Sequence, residues 1–161
     1  MNEISDTEAA YIAGFLDGEG YIALLRTHWQ SKTGKTPTYV LKISVTNTDK
    51  SVLEWIKWTT GVGGVFKKRP AKDHYLPCWE WCVCSFDSGG MLLERLYPYL
   101  RIKRNQAEIG IKYSETSWKY RNNRIPQNII DIRELLRERM LSENKKRRIN
   151  STAIVEKHPF G

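Results

Sequence analysis

The chain has 161 residues, enough for one domain with a buried core. Lysine and arginine outnumber aspartate and glutamate by 26 to 18, a formal charge of +8 with a pI near 9.4, which favours nucleic acid or an anionic surface as partner. No apolar run approaches the ~20 residues of a membrane span and no secretory leader precedes the first acids, so an intracellular protein without membrane association is expected.

In chain order, Ser5 and Glu8 form a capping box that opens a helix running to about Asp17, where Gly18 and Gly20 end it. "YIALLRTHW" reads as a strand, "QSKTGKTP" as a polar loop, and "TYVLKISVT" as a half-buried strand with Leu41, Ile43 and Val45 on one face. "NTDKSVLEWIKWTTG" begins on cap residues, carries Val52, Leu53 and Ile56 at helical spacing and closes on Gly61. The order then recurs: "GGVFKKRP" and "LPCWEWCVCSF" are strand-like and "DSGGMLLERLYPYL" is an amphipathic helix. "KRNQAEIGIKYSE" is a further helix and "TSWKYRNNRIP" a basic connector. A long helix opens at Pro126 and carries Ile129, Ile132, Leu136 and Met140 on one stripe. A helix followed by two strand–strand–helix units makes an α+β fold, a four-stranded antiparallel sheet with helices on one face and the other face open, followed by C-terminal helices. One domain spans 1–161, with its core at about 5–115, a helical extension at about 116–150 and a mobile tail at 151–161.

Cys78, Cys82 and Cys84 are odd in number and lack the paired spacing of a zinc site, even with His74 as a fourth ligand; reduced thiols on a strand are the plainer reading.

Residues 12–20, "IAGFLDGEG", are the most unusual stretch. Ala10, Gly14 and Gly18 share one helix face. A glycine inside a helix costs about 1 kcal/mol relative to alanine. A bare face offsets that cost where another backbone approaches closely, either the protein's own sheet or a second helix. Asp17 and Glu19 end this helix at the pole that repels acids. Carboxylate and carbonyl oxygens there suit Mg²⁺ or Ca²⁺, although a solvated acidic turn has the same letters.

The nonamer resembles the signature of the LAGLIDADG homing endonucleases. "SVTNTDKSVLEWI" is similar to that family's second strand and second helix, and "LYPYLRIKRNQAE" to its Pro-x-Leu-x-x-Lys-x-x-Gln-Ala segment. The resemblance covers about residues 8–110. It implies the family's saddle-shaped fold and, for a chain with one motif, a homodimer whose motif helices cross through Ala10, Ala13, Gly14, Asp17 and Gly18. It further implies that Glu19, where Asp is commoner, and the Gly18 carbonyl hold metal, and that Asp17 has a structural role. Asn47, where Gln is commoner, would orient the attacking water, and Lys103 would lie near the scissile phosphate. A further basic position falls on Ser51, with Lys50 as its stand-in. Mg²⁺ is the implied cofactor, with Mn²⁺ as a substitute and Ca²⁺ supporting binding without cleavage.

The open sheet face would then meet double-stranded DNA. Its expected set is Lys42, Ser44 and Thr46 on the second strand, Phe66, Lys67, Lys68 and Arg69 on the third, where three consecutive basic residues leave open which of them face DNA, and Glu80 and Cys82 on the fourth. Glu80 would accept from a cytosine amino group or pair with Lys68. On the first strand, strict alternation from the motif turns Leu25 outward and Arg26 inward, which a bulge would correct; Arg26 and Thr27 are both expected in the set. His28, Trp29, Gln30 and Lys32 would extend the grip as a loop. Lys145, Lys146 and Arg147, with Arg148 beside them, would bind phosphates. The expected function is site-specific, metal-dependent double-strand cleavage across the minor groove of a long near-palindromic site, leaving 3′ overhangs, in intron homing. An RNA maturase, with intron RNA as a partner, or a non-cleaving DNA-binding regulator is the alternative on the same fold.

Overall fold

A computed structural model describes residues 1–31, 34–68, 76–118 and 125–157, with side chains for all of these except 28–31, 34–36, 118 and 147–157. The elements are α1 (Asp6–Glu19), β1 (Gly20–Ser31), β2 (Gly34–Asn47), α2 (Lys50–Thr60), β3 (Gly64–Lys68), β4 (Cys78–Cys84), α3 (Phe86–Leu96), a 3₁₀ turn (Tyr97–Tyr99), α4 (Arg104–Trp118) and α5 (Gln127–Lys157). Among the described residues no helix is long and apolar enough to cross a membrane.

The capping box forms as expected: the Glu8 amide donates to the Ser5 hydroxyl at 3.4 Å and the Ser5 amide donates to the Glu8 carboxylate at 2.9 Å. The helix continues two residues beyond the expected end, through Glu19, and closes when the Gly20 amide donates to the Leu16 carbonyl. Ala9, Ile12, Ala13 and Leu16 are buried along one side of α1; their spacing of three and four residues is that of a single helix face. Ala10, Gly14 and Gly18 lie on the other side and are exposed. The α2 helix starts at Asp49, which accepts from the Ser51 amide, and ends at Gly61 in the left-handed region (φ 65°), the usual place of glycine after a helix.

The sheet is antiparallel, in the order β1-β2-β4-β3. Ile22 and Leu24 of β1, Leu41, Ile43 and Val45 of β2, and Trp81 and Val83 of β4 fill its helix-side face. The Trp81 indole N–H donates to the Val62 carbonyl at 3.1 Å, so this wholly buried ring leaves no orphan donor. The β1–β2 pairing runs one to one from Gly20 opposite Val45 to Ser31 opposite Gly34. There is therefore no bulge, and most of the expected polar loop at 30–37 is strand, leaving only 32–33 between β1 and β2.

The α5 helix runs along the free edge of β1 and covers it, a common protection for an edge strand. The Asn144 amide donates to the Ile22 carbonyl at 3.1 Å. Over part of the expected tail from 151, the helix continues to Lys157; 158–161 lie outside the described residues.

The α3 and α4 helices pack closely because glycine faces glycine-sized space. A Cβ on Gly90 would lie 2.3 Å from the Ser114 hydroxyl oxygen and 2.5 Å from its Cβ, while the Ser114 Cα is 4.0 Å away. Gly90→Ala is expected to destabilise by about 1–3 kcal/mol through overpacking. Adding Ser114→Gly should recover part of that loss, although glycine itself costs about 1 kcal/mol in a helix. Urea unfolding of both single variants and the double variant measures the coupling; additive effects would mean that the helices do not meet there.

Candidate active site and nucleic-acid interface

The C-terminal turn of α1 carries the candidate catalytic group. Glu19 is exposed where α1 meets β1. The side-chain amide of Asn47, the last residue of β2, donates to Glu19 Oε2 at 2.9 Å. The amide is held in that orientation because Asn47 Oδ1 accepts from the Asp49 backbone amide at 2.8 Å. The structure therefore brings Glu19 and Asn47 together from elements 28 residues apart.

Asp17 has a different fate. Its carboxylate is buried and accepts from the backbone amides of Arg101 (2.7 Å), Ile102 (3.1 Å) and Lys103 (2.8 Å), just before α4. Lys103, only 1% exposed, sends its ammonium back to the Asp17 carbonyl. The lysine expected near the scissile phosphate is thus buried beneath the end of α1. In this chain Lys103 is committed to the last turn of α1, two residues from Glu19.

The expected crossing face divides. Gly14 and Gly18 are open: a Cβ on either would meet nothing within 4 Å. Ala10 is exposed beside them. Ala13, wholly buried, and Asp17, only 7% exposed, face the protein's own interior, so neither belongs to an exposed crossing face. Next to the bare stripe, Thr7, Glu8, Tyr11, Ser51, Val52 and Trp55 line a hollow of about 570 Å³ between α1 and α2. Tyr11 and Trp55 meet edge-to-face there, with ring centroids 5.2 Å apart. This aromatic rim went unrecognised in the sequence, although Tyr11, Phe15 and Trp55 are large apolar residues with no place in the expected core.

On the sheet, strand register settles which side chains share the open face. Lys42, Ser44 and Thr46 lie opposite Cys84, Cys82 and Glu80 of β4, and Phe66 and Lys68 of β3 lie opposite Glu80 and Cys78. Tyr21, Leu25 and Thr27 continue this face onto β1 and are exposed. Tyr21 was overlooked, though counting back in twos from Thr27 reaches it. Ser44 is on the open face but only 3% exposed, so it supports its neighbours and does not itself reach outward. Lys67 lies in register with Trp79 and turns to the helix side, so of the two lysines that the sequence left open it is Lys68 that shares the open face. Arg26 likewise turns inward, since no bulge intervenes; its guanidinium is 3.8 Å from Glu134 of α5. Glu134 also accepts from the Tyr39 hydroxyl and pairs with Arg137 at 3.1 Å. Burial, and then Glu134, push the Tyr39 phenol up to about 12.

Glu80 lies between two lysines. Lys42 Nζ is 3.2 Å and Lys68 Nζ 3.9 Å from its carboxylate, and Lys68 also donates to the Thr46 hydroxyl at 3.1 Å. Burial, the largest single influence, opposes the Lys42 charge, but the hydrogen bond to Glu80 and the charge interactions with Cys82, Glu80 and Cys84 together outweigh it and hold that ammonium's pKa above its usual value. Lys50 stacks over the Trp79 ring, 4.7 Å from its centroid, and pairs with Glu54 at 3.3 Å, while the Ser51 hydroxyl is committed to Asp49 at 2.6 Å. Lys145 is exposed on α5; Lys146 pairs with Glu143 at 2.8 Å. The side chains of His28, Trp29, Gln30, Arg147 and Arg148, and all of Lys32 and Arg69, lie outside the described residues.

No family model matches the chain. The DNA endonuclease I-CvuI of Chlorella vulgaris is 29% identical over 153 residues, which are 91% of this chain and 87% of that protein. A crystal structure of I-CvuI with the I-CreI target, with Mg present and the DNA not cleaved, superposes with a TM-score of 0.70 at 23% identity, covering 85% of this chain and 82% of that one. The archaeal intron-encoded I-Vdi141I, solved with DNA, also gives a TM-score of 0.70, at 18% identity over 86% and 84% of the two chains. I-SmaMI on uncleaveable DNA gives 0.66 at 18% identity, covering 82% of this chain but only 44% of that one. The chain is thus similar along 91% of its length to a DNA endonuclease, and its fold, with the 12–20 motif ending α1 at Glu19, is that of the solved homing endonucleases.

Proposed function

We propose that the chain is a site-specific, metal-dependent double-strand DNA endonuclease that works as a homodimer. The observation that carries this reading is the end of α1: an exposed carboxylate held by Asn47, on a helix whose outer face is bare at Gly14 and Gly18. Among the described residues nothing requires glycine at either position, so their intrinsic helix penalty argues for an approaching partner. The span of I-SmaMI that this chain matches, 44%, also suits two copies in place of one. Two copies crossing at this face would bring two Glu19 carboxylates together and read a near-palindromic site. The family resemblance further implies cleavage across the minor groove with 3′ overhangs, and a role in intron homing.

The donor set fits a hard divalent cation. Carboxylate oxygen and helix-terminal carbonyl are the ligands Mg²⁺ takes, and I-CvuI has been solved on DNA with Mg and with Ca present. Among the described residues of one chain no cluster of three His, Cys, Asp or Glu forms, so Glu19 of a second copy would complete the site. When bound, such an ion activates water and stabilises the leaving oxygen. Asn47 has no titratable proton to take or give, and it holds the Glu19 carboxylate in one orientation. The buried Lys103 ammonium offsets the negative pole of α1 and keeps its last turn on α4. The open face, with Lys42, Thr46, Phe66, Lys68 and Glu80, would meet base edges and phosphates.

Gly14→Leu should not destabilise the single chain, because open space receives the side chain and leucine is the better helix former. It should nevertheless give monomers in analytical ultracentrifugation and abolish cleavage. A monomeric wild type that cuts both strands would refute the two-fold site.

Glu19→Gln should lower cleavage by orders of magnitude while specific binding survives in gel shifts on the same site. Glu19→Asp should be much milder, and Ca²⁺ should support binding without cutting. Full cleavage by the Gln variant would show that the acid is structural. A wild type that binds DNA but never cuts it with Mg²⁺ or Mn²⁺ would favour the non-cleaving regulator.

A further inference from the structure

Cys82 and Cys84 lie in the middle of the open sheet face, where the family motifs assign no function. They are two residues apart on β4, so their side chains share that face. Their sulfur atoms are 3.2 Å apart. Cys82 lies opposite Ser44, and Cys84 opposite Lys42. Cys84 is exposed and lines a hollow of about 350 Å³ with Val40, Ser85 and Asp87 among others, open to a small reagent. Cys82 is half-buried. Cys78 lies four residues before Cys82, a strand distance of about 13 Å, so it is no partner for either.

We propose that Cys82 and Cys84 form a thiol–disulfide exchange site built into the DNA-facing sheet, and that its oxidation weakens DNA binding. The consequence for DNA rests on the endonuclease reading; the exchange chemistry does not. The oxidant class is a low-molecular-weight disulfide such as glutathione disulfide. The exposed Cys84 thiolate attacks one sulfur of that disulfide, forms a mixed disulfide and expels one small thiolate. The Cys82 sulfur, losing its proton to solvent, then attacks Cys84 Sγ and expels the second. One protein disulfide and two small thiols result, so two electrons pass from the protein to the oxidant. Burial first, and then the bond to Cys84, push the Cys82 thiol up to about 12, so its thiolate is scarce and the second, intramolecular step relies on the closeness of the two sulfur atoms.

Alternate residues of a strand stand about 6.4–6.8 Å apart at Cα, the upper end of the range a disulfide bridges. Bonding therefore draws β4 together locally, while Val83 between the two cysteines stays anchored in the core at 2% exposure. The contraction falls where β4 pairs with Lys42 and Ser44 and two residues from Glu80, the partner of Lys42 and Lys68. It shifts the face on which these charges are set out. A bond held at the end of its permitted span is readily reduced, which makes the change reversible.

The test treats the full-length protein with graded ratios of glutathione disulfide to glutathione, then measures intact mass without reductant and maps peptides. The wild type and Cys78→Ser should lose two hydrogens and yield a Cys82–Cys84 link. Cys82→Ser and Cys84→Ser should lose none internally, and Cys82→Ser should hold a stable glutathione adduct on Cys84. Absence of the link at every ratio, or a two-hydrogen loss in either serine variant, overturns the proposal. Gel shifts on one specific DNA should then show binding at least about tenfold weaker for oxidised wild type, the equivalent of one lost base-pair contact. Dithiothreitol should restore it, and Cys84→Ser should show no such response. Equal affinity of oxidised and reduced protein overturns the regulatory claim. If reduced protein fails to bind any DNA, the endonuclease reading fails instead, and the mass pattern alone decides the exchange site.

Discussion

The rest of the site depends on how one acid ends α1. Asp17 stands at the negative pole of its own helix, where a carboxylate is disfavoured. Its side chain reaches the three backbone amides of 101–103, which approach the positive pole of α4. An acid that is misplaced for one helix is well placed for the next, and it satisfies donors that would otherwise be orphaned at a helix start. The Lys103 ammonium closes the exchange from the other side by capping the Asp17 carbonyl. Two helices are thus fastened end to end by reciprocal charge-assisted bonds, stronger than neutral ones.

That clasp separates the two acids of the motif. Asp17 is consumed by structure, which leaves Glu19, one residue past Gly18, exposed with a fixed backbone. Asn47 fixes the side chain, and Asn47 is in turn fixed by the start of α2. The position of one carboxylate is therefore set by α1, α4, β2 and α2 together. In the homodimer proposed above each carboxylate would meet its copy across a symmetry axis, where any error in its position would be doubled in the pair.

Elements with a clear period were legible in the sequence. The alternation of Leu41, Ile43 and Val45 against Lys42, Ser44 and Thr46 gave the faces of β2 correctly, and Trp81 and Val83 did the same for β4. Where the outcome depended on a distant partner, local pattern was insufficient. Arg26 turns inward because Glu134, more than a hundred residues later, receives it. Lys103 is buried because a carbonyl at the end of α1 accepts its charge, whereas lysine by type alone is expected at the surface. Ala13 is the exception that could have been found: it falls with Ala9, Ile12 and Leu16 on the buried side, whereas Ala10 falls with Gly14 and Gly18. Lys67 and Lys68 could not be told apart until pairing with β4 fixed the register of β3.

Meeting DNA as proposed, the open face would read sequence without relying on charge alone. A net charge of +8 attracts any duplex and discriminates among none. Discrimination needs donors and acceptors held in place before DNA arrives, so that ordering them costs little on binding. Glu80 does this for the lysines on either side, because each ammonium is drawn to a fixed carboxylate, and Lys68 is held further by the Thr46 hydroxyl. The acid removes one unit of attraction from the face. In return two flexible side chains stand at defined positions on a four-stranded platform, where a base edge or phosphate can compete for them. The same rigidity makes the platform sensitive to small changes in β4, the strand that carries Glu80 and both neighbouring thiols.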